Sequence, residues 1–309
     1  MHADGGDAAG TTAPGDKDAS RRIWLCADDY GISPAVNLAI RDLIMRGRLN
    51  ATSVMVVAPG FHRSEALSLS NAASRRGAIG LHVTLTGKFR PLTAFAPLAE
   101  GKFPPLATML RLALLRRLDR AALAAEVEAQ LQSFAADFGQ APDFVDGHHH
   151  VHLLPQVRDE VLALVKRDAP GAWVRQCGSA LPLSKLVRDY KAAGLSFLSR
   201  GFRRRAAKLA VPTNPAFAGV YDLEPGKNFS ALFPRFLEGL PDGGLIMCHP
   251  GIVDAELRQL DPLTDQREKE YAYFASEDFP RALAAAGAAL AQKPDFEAMR
   301  SPGLRLTRP

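Results

Sequence analysis

The chain has 309 residues, of which 47% are hydrophobic and 23% are charged, and its net charge is +5 at neutral pH. These proportions are typical of a globular protein, and they exclude a disordered chain, a collagen-like fibre and a coiled coil. No apolar run reaches the roughly 18 residues that a membrane-spanning helix requires, and the mild positive charge permits an anionic partner without requiring nucleic acid.

The first residues of the chain are small, polar and rich in glycine and aspartate. They lack the basic and apolar regions of a secretory signal. The three cysteines, Cys26, Cys177 and Cys248, are far apart and form neither a disulfide framework nor a zinc-binding CxxC pair. We therefore expect a disordered tail at residues 1–20, buried thiols in a reducing compartment, and a cytoplasmic protein.

Short apolar runs alternate with amphipathic segments in the first third of the chain. Strands are predicted at residues 22–27, 52–58 and 78–86, with helices between them. Ser33 stands where an N-cap belongs and Pro34 where the first helical residue belongs, so the first helix is expected to begin there. This βαβαβ order predicts a parallel sheet with right-handed crossovers.

The rest of the chain continues the same alternation. Helices are predicted at residues 106–118, 121–138, 156–167, 181–210, 229–240, 264–275 and 279–291, and strands at 144–154, 172–177 and 244–248, with a looser stretch at 211–227. The βα units predict a single α/β domain over residues 21–300, with a (β/α)-barrel-like fold that is related to the TIM barrel and is distorted or seven-stranded. Helical insertions are expected near 104–139 and 181–210, and a doubly wound open sheet is the alternative.

Acids and histidines occur mainly where the predicted strands end, which is the edge at which parallel α/β folds place their active sites. Asp28 and Asp29 follow the first strand, and Gly31 permits a turn that aims both carboxylates at one site; the alternative is an acidic helix start. His82 points away from the aliphatic face of its strand. It is interpreted either as a residue that lines the cleft or as a histidine of the core. His249 ends the last strand, as a pocket residue or a turn residue.

A histidine-rich run carries the strongest indication of a metal site. Asp146, His148, His150 and His152 alternate with other residues, so that on a strand they would share one face. Four titratable groups on a buried face are costly without a metal or a hydrogen-bond network. Imidazole with carboxylate is a common ligand set for first-row divalent metals. The apolar residues on both sides of the run disfavour a surface patch, and we predict a metal site here.

Together these motifs resemble the YdjC-like family of carbohydrate deacetylases, which includes chitooligosaccharide deacetylases and relatives associated with hopanoid biosynthesis. The resemblance extends over residues 22–276 and rests on ADDYGIS at 27–33, GLHVTLTG at 80–87, VDGHHHVH at 145–152, CHPG at 248–251 and REKEYAYFAS at 267–276. Tyr30 stands where the family usually has phenylalanine, and Gly147 where serine is common. Neither departure removes a metal ligand.

The resemblance implies a barrel-like fold and an enzyme that hydrolyses the acetamide group of an N-acetylated sugar, either an oligosaccharide or a lipid-linked glycan. It also implies one divalent metal ion held by Asp29, His82 and His148. Asp28 would be the catalytic base and His249 the general acid. Affinity ordering favours Zn²⁺ over Mg²⁺, whereas family members are usually described with Mg²⁺, so both metals stay open.

Four further polar residues are expected around the metal site. Asp146, His150 or His152 would orient the imidazoles that bind the metal. Arg175, in the predicted strand 172–177, would bind a substrate hydroxyl or carboxylate, or else form an ordinary salt bridge. The expected partner is an N-acetylated sugar, with no nucleic acid.

Two basic and apolar segments, 106–120 and 183–208, are less typical of the family. The second contains eight basic residues and one acidic residue. Such a segment can lie on an anionic membrane, or it can pack its apolar side on the domain as an ordinary solvated helix. The first segment is interpreted as a lid or a homodimer contact.

Two rival functions remain beside the deacetylase. One is another metal-dependent hydrolase, such as an amidohydrolase or a phosphoesterase, although neither GxGxxG nor a P-loop is present. The other is a non-catalytic protein that binds carbohydrate or membrane and keeps the metal for structure. Structural zinc sites are usually closed and rich in cysteine, so three ligands with spare acid and base residues favour a catalytic site.

Overall fold

The computed structural model describes residues 20–74, 77–181, 190–221 and 228–293. Among them the strands are β1 (Arg21–Tyr30), β2 (Ala51–Val54), β3 (Ala78–Val83), β4 (Phe144–Gly147), β5 (Trp173–Val174), β6 (Phe217–Ala218), β7 (Leu245–Cys248) and β8 (Ala288–Leu290). The helices are α1 (Pro34–Met45), α2 (Arg63–Ala73), α3 (Leu106–Leu114), α4 (Arg120–Phe138), α5 (Val157–Asp168), α6 (Tyr190–Leu209), α7 (Phe229–Phe236), α8 (Ala255–Leu260), α9 (Asp265–Ala275) and α10 (Asp278–Ala285). The tail predicted at residues 1–20 lies outside the described residues except for Ser20.

The strands form one parallel sheet in the order β5-β4-β3-β2-β1-β7-β6, with β8 paired to the beginning of β1. This order follows the chain around a circle, without the reversal that a doubly wound sheet requires. The edge strands β5 and β6 are linked irregularly, because Val174 N donates to Pro212 O at 2.9 Å and Phe217 N donates to Gly178 O at 3.0 Å. The seven strands of that order form a curled half-barrel, which confirms the distorted barrel-like prediction.

The turn after β1 is fixed by buried polar groups. β1 continues through Asp29, whose φ is +67°, and Gly31 then takes a φ of +103° that a side chain rarely adopts. Asn37, which is fully buried on α1, accepts a hydrogen bond from Gly31 N at 2.6 Å. α1 begins as predicted, with Ser33 as its N-cap and Pro34 as its first residue. The two carboxylates that precede this turn are therefore held in a rigid segment.

The prediction of a strand at residues 144–154 is correct as far as Gly147 and wrong beyond it. The chain turns there into a 3₁₀ helix, His148–Leu153, in which His149 and His150 have φ values of +54° and +56°. The four acids and histidines of this run therefore do not share one strand face. Alternation of residue types alone cannot distinguish a strand from a tight helical turn, and left-handed residues other than glycine carry no strong sequence signal.

Some predicted elements end earlier in the structure: β2 ends at Val54 rather than at residue 58, and α3 ends at Leu114 rather than at residue 118. β6, β8 and α8 were not predicted, because two or three residues are too few to identify a strand and six are too few to show a helical period. β8 lies within the segment predicted as the last helix, where α10 in fact ends at Ala285. The helix predicted at 181–210 is observed from Tyr190 to Leu209, and residues 182–189 lie outside the described residues. None of the helices in the described ranges is long and apolar enough to cross a membrane.

Gly80 on β3 makes a close approach that a larger residue cannot share. A Cβ at this position would lie 2.4 Å from the ring of Phe144, which itself stacks on Trp173 with ring centroids 4.7 Å apart. We expect Gly80→Ala to lower the free energy of unfolding by about 1–3 kcal/mol, measured as a lower thermal midpoint. Gly194→Ala, which meets open space on α6, is the matched control. Equal midpoints for the two variants would contradict the packing described here.

Candidate metal centre and active site

A cleft of about 700 Å³ opens at the carboxyl ends of the strands. Its polar lining includes Asp28, Asp29, His82, His148 and His249. Apolar side chains form much of the remaining wall, among them Leu106, Leu195, Val220, Met247 and Leu263. The fold therefore brings together at one edge the acids and histidines that the sequence places in four separate segments.

Three of these side chains converge on one point. Asp29 Oδ1 lies 3.3 Å from His82 Nε2 and 3.0 Å from His148 Nδ1. One ligand atom from each residue lies within 4.8 Å of the other two, and all three residues are buried. Asp29 comes from the end of β1 and His82 from β3, while His148 is the first residue of the 3₁₀ helix. This geometry suits a cation held between a carboxylate and two imidazoles.

The surroundings of His82 also fit a cation. Its Nδ1 lies 2.6 Å from Asp146 Oδ1, and since a carboxylate only accepts, that nitrogen carries the hydrogen and Nε2 is left to bind a metal. Burial lowers the pKa of His82, but Asp146 and Asp29 outweigh it and raise the pKa to about 10. Both ring nitrogens of His82 therefore carry a proton here, and a divalent cation would displace the one on Nε2.

Asp28 is held by a buried arginine. Arg175 Nη1 donates to Asp28 Oδ2 at 2.7 Å and Nη2 donates to Oδ1 at 2.6 Å, and Nη2 also lies 2.5 Å from Asp146 Oδ2. Burial raises the pKa of Asp28, but the guanidinium outweighs it and holds the pKa well below the ordinary value. Asp28 is therefore ionised and fixed in orientation. Arg175 is fully buried behind it, so the structure places this arginine in a salt bridge rather than on the cleft wall.

A second cluster of possible ligands, Cys26, Asp28 and Asp146, is already filled by the same arginine. Arg175 Nη2 lies 3.1 Å from Cys26 Sγ, in addition to its contacts with both carboxylates. The guanidinium occupies the position that a cation would take there. The cluster of Asp29, His82 and His148 remains as the candidate metal centre.

His150 and His152 lie beside the centre without joining it. His152 Nε2 lies 2.8 Å from the backbone oxygen of Arg175, so His152 supports the loop that carries the arginine. His150 lines the cleft and packs edge-on against Phe217, with ring centroids 5.7 Å apart. Asp146, His150 and His152 were expected to orient the metal-binding imidazoles. The structure places Asp146 in contact with the imidazole of His82.

His249 approaches the centre from the end of β7. Its backbone N–H donates to Glu270 Oε2 at 2.5 Å, and Glu270 Oε1 accepts from the Tyr221 hydroxyl at 2.5 Å. Burial lowers the pKa of His249, although Asp29 opposes this effect. Burial also raises the pKa of Glu270 to about 7. The ring atom Nδ1 of His249 is buried and has no hydrogen-bond partner among the described residues.

Two residues of α9 support the site and were not assigned from the sequence. Arg267 Nη2 lies 2.6 Å from Asp29 Oδ2 and 2.6 Å from Asp261 Oδ2. Glu270, one helical turn later, accepts the hydrogen bond from the backbone N–H of His249. Both side chains are fully buried. The signal was the segment 267–276, which carried part of the family resemblance without any residue receiving a role.

Arg267 is a buried cation between two carboxylates, and its removal takes from both of them the positive charge that neutralises them. We expect Arg267→Met to lower the free energy of unfolding by about 3–5 kcal/mol, with Arg267→Lys retaining part of that stability. Thermal unfolding of the two variants beside Arg281→Met, an exposed arginine on α10, measures the difference. A midpoint for Arg267→Met equal to that of Arg281→Met would contradict the bridging role.

The chain is similar in sequence and in fold to known proteins. The sequence model of a family described as YdjC-like protein matches residues 22–285. Chitooligosaccharide deacetylases of Yersinia pestis (strain Pestoides F) and Yersinia pseudotuberculosis serotype O:1b (strain IP 31758) are each 29% identical over 238 residues, which is 75% of this chain and 82% of the relative. A crystal structure from Enterococcus faecalis V583, of a protein with a proposed role in cellobiose-phosphate cleavage, covers 90% of this chain and 99% of its own, with a TM-score of 0.69 and 21% identity. That likeness is one of fold.

Proposed function

The chain belongs to the YdjC-like protein family, and from this premise we propose that it is a metal-dependent hydrolase that removes the acetyl group from an N-acetylated sugar. The relatives named chitooligosaccharide deacetylases support the substrate class. The observation that carries the proposal is the convergence of Asp29, His82 and His148 in a cleft that also exposes Asp28 and His249.

The proposed metal ligands are Asp29, His82 and His148. A divalent cation bound there, Mg²⁺ or Zn²⁺, supplies a Lewis acid for the amide carbonyl and lowers the pKa of a water molecule. Asp146 holds His82 so that its Nε2 faces Asp29. Arg267 holds the other oxygen of Asp29 and prevents that carboxylate from rotating away.

Asp28 is the proposed catalytic base. Its carboxylate is ionised because Arg175 holds its pKa low, and the bidentate contact fixes its orientation toward the cleft. An ionised and fixed carboxylate beside the attacking water accepts a proton without first reorganising. Because Arg175 also contacts Asp146, one guanidinium positions both the base and the carboxylate that orients His82.

His249 is the proposed general acid. Cleavage of an amide expels an amine that is too basic to leave without a proton. Burial lowers the pKa of His249 and favours the neutral ring, whereas the negative charges of Asp29 and Asp28 favour the protonated ring that this role requires. Glu270 fixes the backbone of His249 at the end of β7 and so places the ring at the cleft. The products are acetate and a free amino sugar.

The substrate class is tested by acetate release from a panel of acetylated compounds. The panel contains N-acetylglucosamine, chitobiose, longer chitooligosaccharides and a lipid-linked N-acetylglucosamine, together with an O-acetylated sugar and a sugar phosphate. We expect equal amounts of acetate and free amine from at least one N-acetylated sugar. Phosphate release alone would favour a phosphoesterase, and sugar binding without release of any product would favour a non-catalytic carbohydrate-binding protein.

A further inference from the structure

A group of exposed apolar and basic side chains beside the cleft has no part in the chemistry above. We define this basic apolar rim as Leu114, Arg116 and Arg117 at the end of α3 and Phe197, Arg200 and Arg204 on α6. Leu114 is 55% exposed and Phe197 is 71% exposed. On α6 the three rim residues recur at intervals of three and four, so they form one stripe of the helix.

Both halves of the rim adjoin the beginning of α5. The Gln156 side chain accepts from Leu118 N at 3.1 Å and donates to Leu118 O at 2.9 Å, which ties the end of the α3 segment to the start of α5. Arg205 pairs with Asp159 at 3.1 Å, which ties α6 to the first turn of the same helix. The two segments that carry the rim therefore both contact the beginning of α5.

The rim also adjoins the mouth of the cleft. Leu106 at the start of α3 and Leu195 on α6 line the cleft, and both belong to the helices that carry the rim. The two helices that carry the rim therefore also contribute side chains to the cleft wall.

The four rim arginines carry positive charges that the described residues do not neutralise. None of them forms an ion pair with another described residue, whereas the neighbouring Arg205 does. Unpaired cations with apolar side chains between them are typical of helices that lie on anionic lipid.

We propose that the basic apolar rim docks on the surface of an anionic lipid bilayer. Phe197 and Leu114 enter the boundary between headgroups and acyl chains, and the four arginines contact lipid phosphates. Apolar side chains that stand singly between cations suit a fluid surface, because each inserts without a matching pocket. A second copy of the chain fits less well, because a two-fold contact would place the arginines against each other. The cleft then opens beside the bilayer, and the proposal holds whether or not the chain is a deacetylase.

The test is sedimentation of the full chain with vesicles. Vesicles of phosphatidylglycerol and phosphatidylcholine are compared with vesicles of phosphatidylcholine alone, at moderate and high salt. We expect binding to the anionic vesicles only, weakened by salt. The double variant Arg200→Glu/Arg204→Glu should bind at least about 30-fold more weakly. Arg46→Glu/Arg281→Glu makes the same change of charge at exposed positions outside the rim and should bind nearly as the unchanged chain does.

A second pair of variants tests insertion. Phe197→Ala should weaken binding even at high salt, whereas Leu67→Ala, at a 58% exposed position on α2, should not. Equal loss in the two charge variants would show that net charge alone attracts the chain and would overturn the proposal. Absence of binding to anionic vesicles would also overturn it, as would a concentration-dependent dimer that Phe197→Ala dissociates. Binding of the chain to an acidic protein, without binding to vesicles, would overturn the proposal as well.

Discussion

His148→Ala is expected to abolish stoichiometric binding of a divalent cation and to reduce acetate release by more than about a hundredfold. The reason is geometric, because His148 Nδ1 lies 3.0 Å from Asp29 Oδ1 and completes a cluster of three ligands. Loss of a partner that merely orients a ligand typically costs about 10- to 100-fold in metal affinity or activity, so loss of a ligand itself should exceed that range. Isothermal titration of the metal-free chain with Zn²⁺ and with Mg²⁺ measures the binding.

The neighbouring histidine provides the matched control. The His149 ring stacks on that of His148 with centroids 3.8 Å apart, but His149 does not belong to the ligand cluster. His149→Ala should therefore bind one equivalent of cation. If His148→Ala kept the affinity of the unchanged chain, the assignment of this residue as a ligand would be refuted.

Asp28→Asn is expected to keep the cation and lose turnover. An amide cannot accept the proton from water, so the rate should fall by about 10²- to 10⁴-fold, the usual contribution of a general base. The three proposed ligands are untouched, so calorimetry should still find one equivalent of cation. Arg175 keeps its contact with Asp146 at 2.5 Å, which limits the disturbance of the fold.

Asp143→Asn is the control for this substitution. Asp143 lies just before β4, at the opposite end of that strand from the site, and accepts a hydrogen bond from Ile79 N at 2.9 Å that asparagine can also accept. Its turnover should match that of the unchanged chain. Turnover of Asp28→Asn within a few-fold of this control would exclude Asp28 as the base, and loss of the cation would make it a structural residue of the metal centre.

The sequence predicts the barrel-like fold well because its main helices are long enough to show a period and its buried strands are short apolar runs between them. Ser33 and Pro34 mark the start of α1 correctly, since an N-cap and a first-turn proline act through local backbone chemistry. β8 has three residues and was not predicted, because its formation depends on pairing with β1 rather than on the pattern of its own sequence.

The site was predictable to the extent that its residues lie in recognisable motifs. Asp29, His82 and His148 were proposed together from the family resemblance, and the structure brings them together. The local reasoning for His148 assumed a strand, whereas the residue begins a 3₁₀ helix, so its inclusion did not depend on that assumption. Arg267 and Glu270 were not assigned, because a buried charge and a solvated charge look alike until their partners, about 240 and 20 residues away, are known.

The central claim is that the cluster of Asp29, His82 and His148 is a metal centre that drives N-deacetylation. Its most direct test is the rate of acetate release from the best N-acetylated sugar while chelator-treated protein is titrated with Zn²⁺ or Mg²⁺. The account predicts no release without metal and a rate that rises to a plateau at one equivalent of the active metal. Undiminished acetate release from protein shown to be free of metal would contradict it.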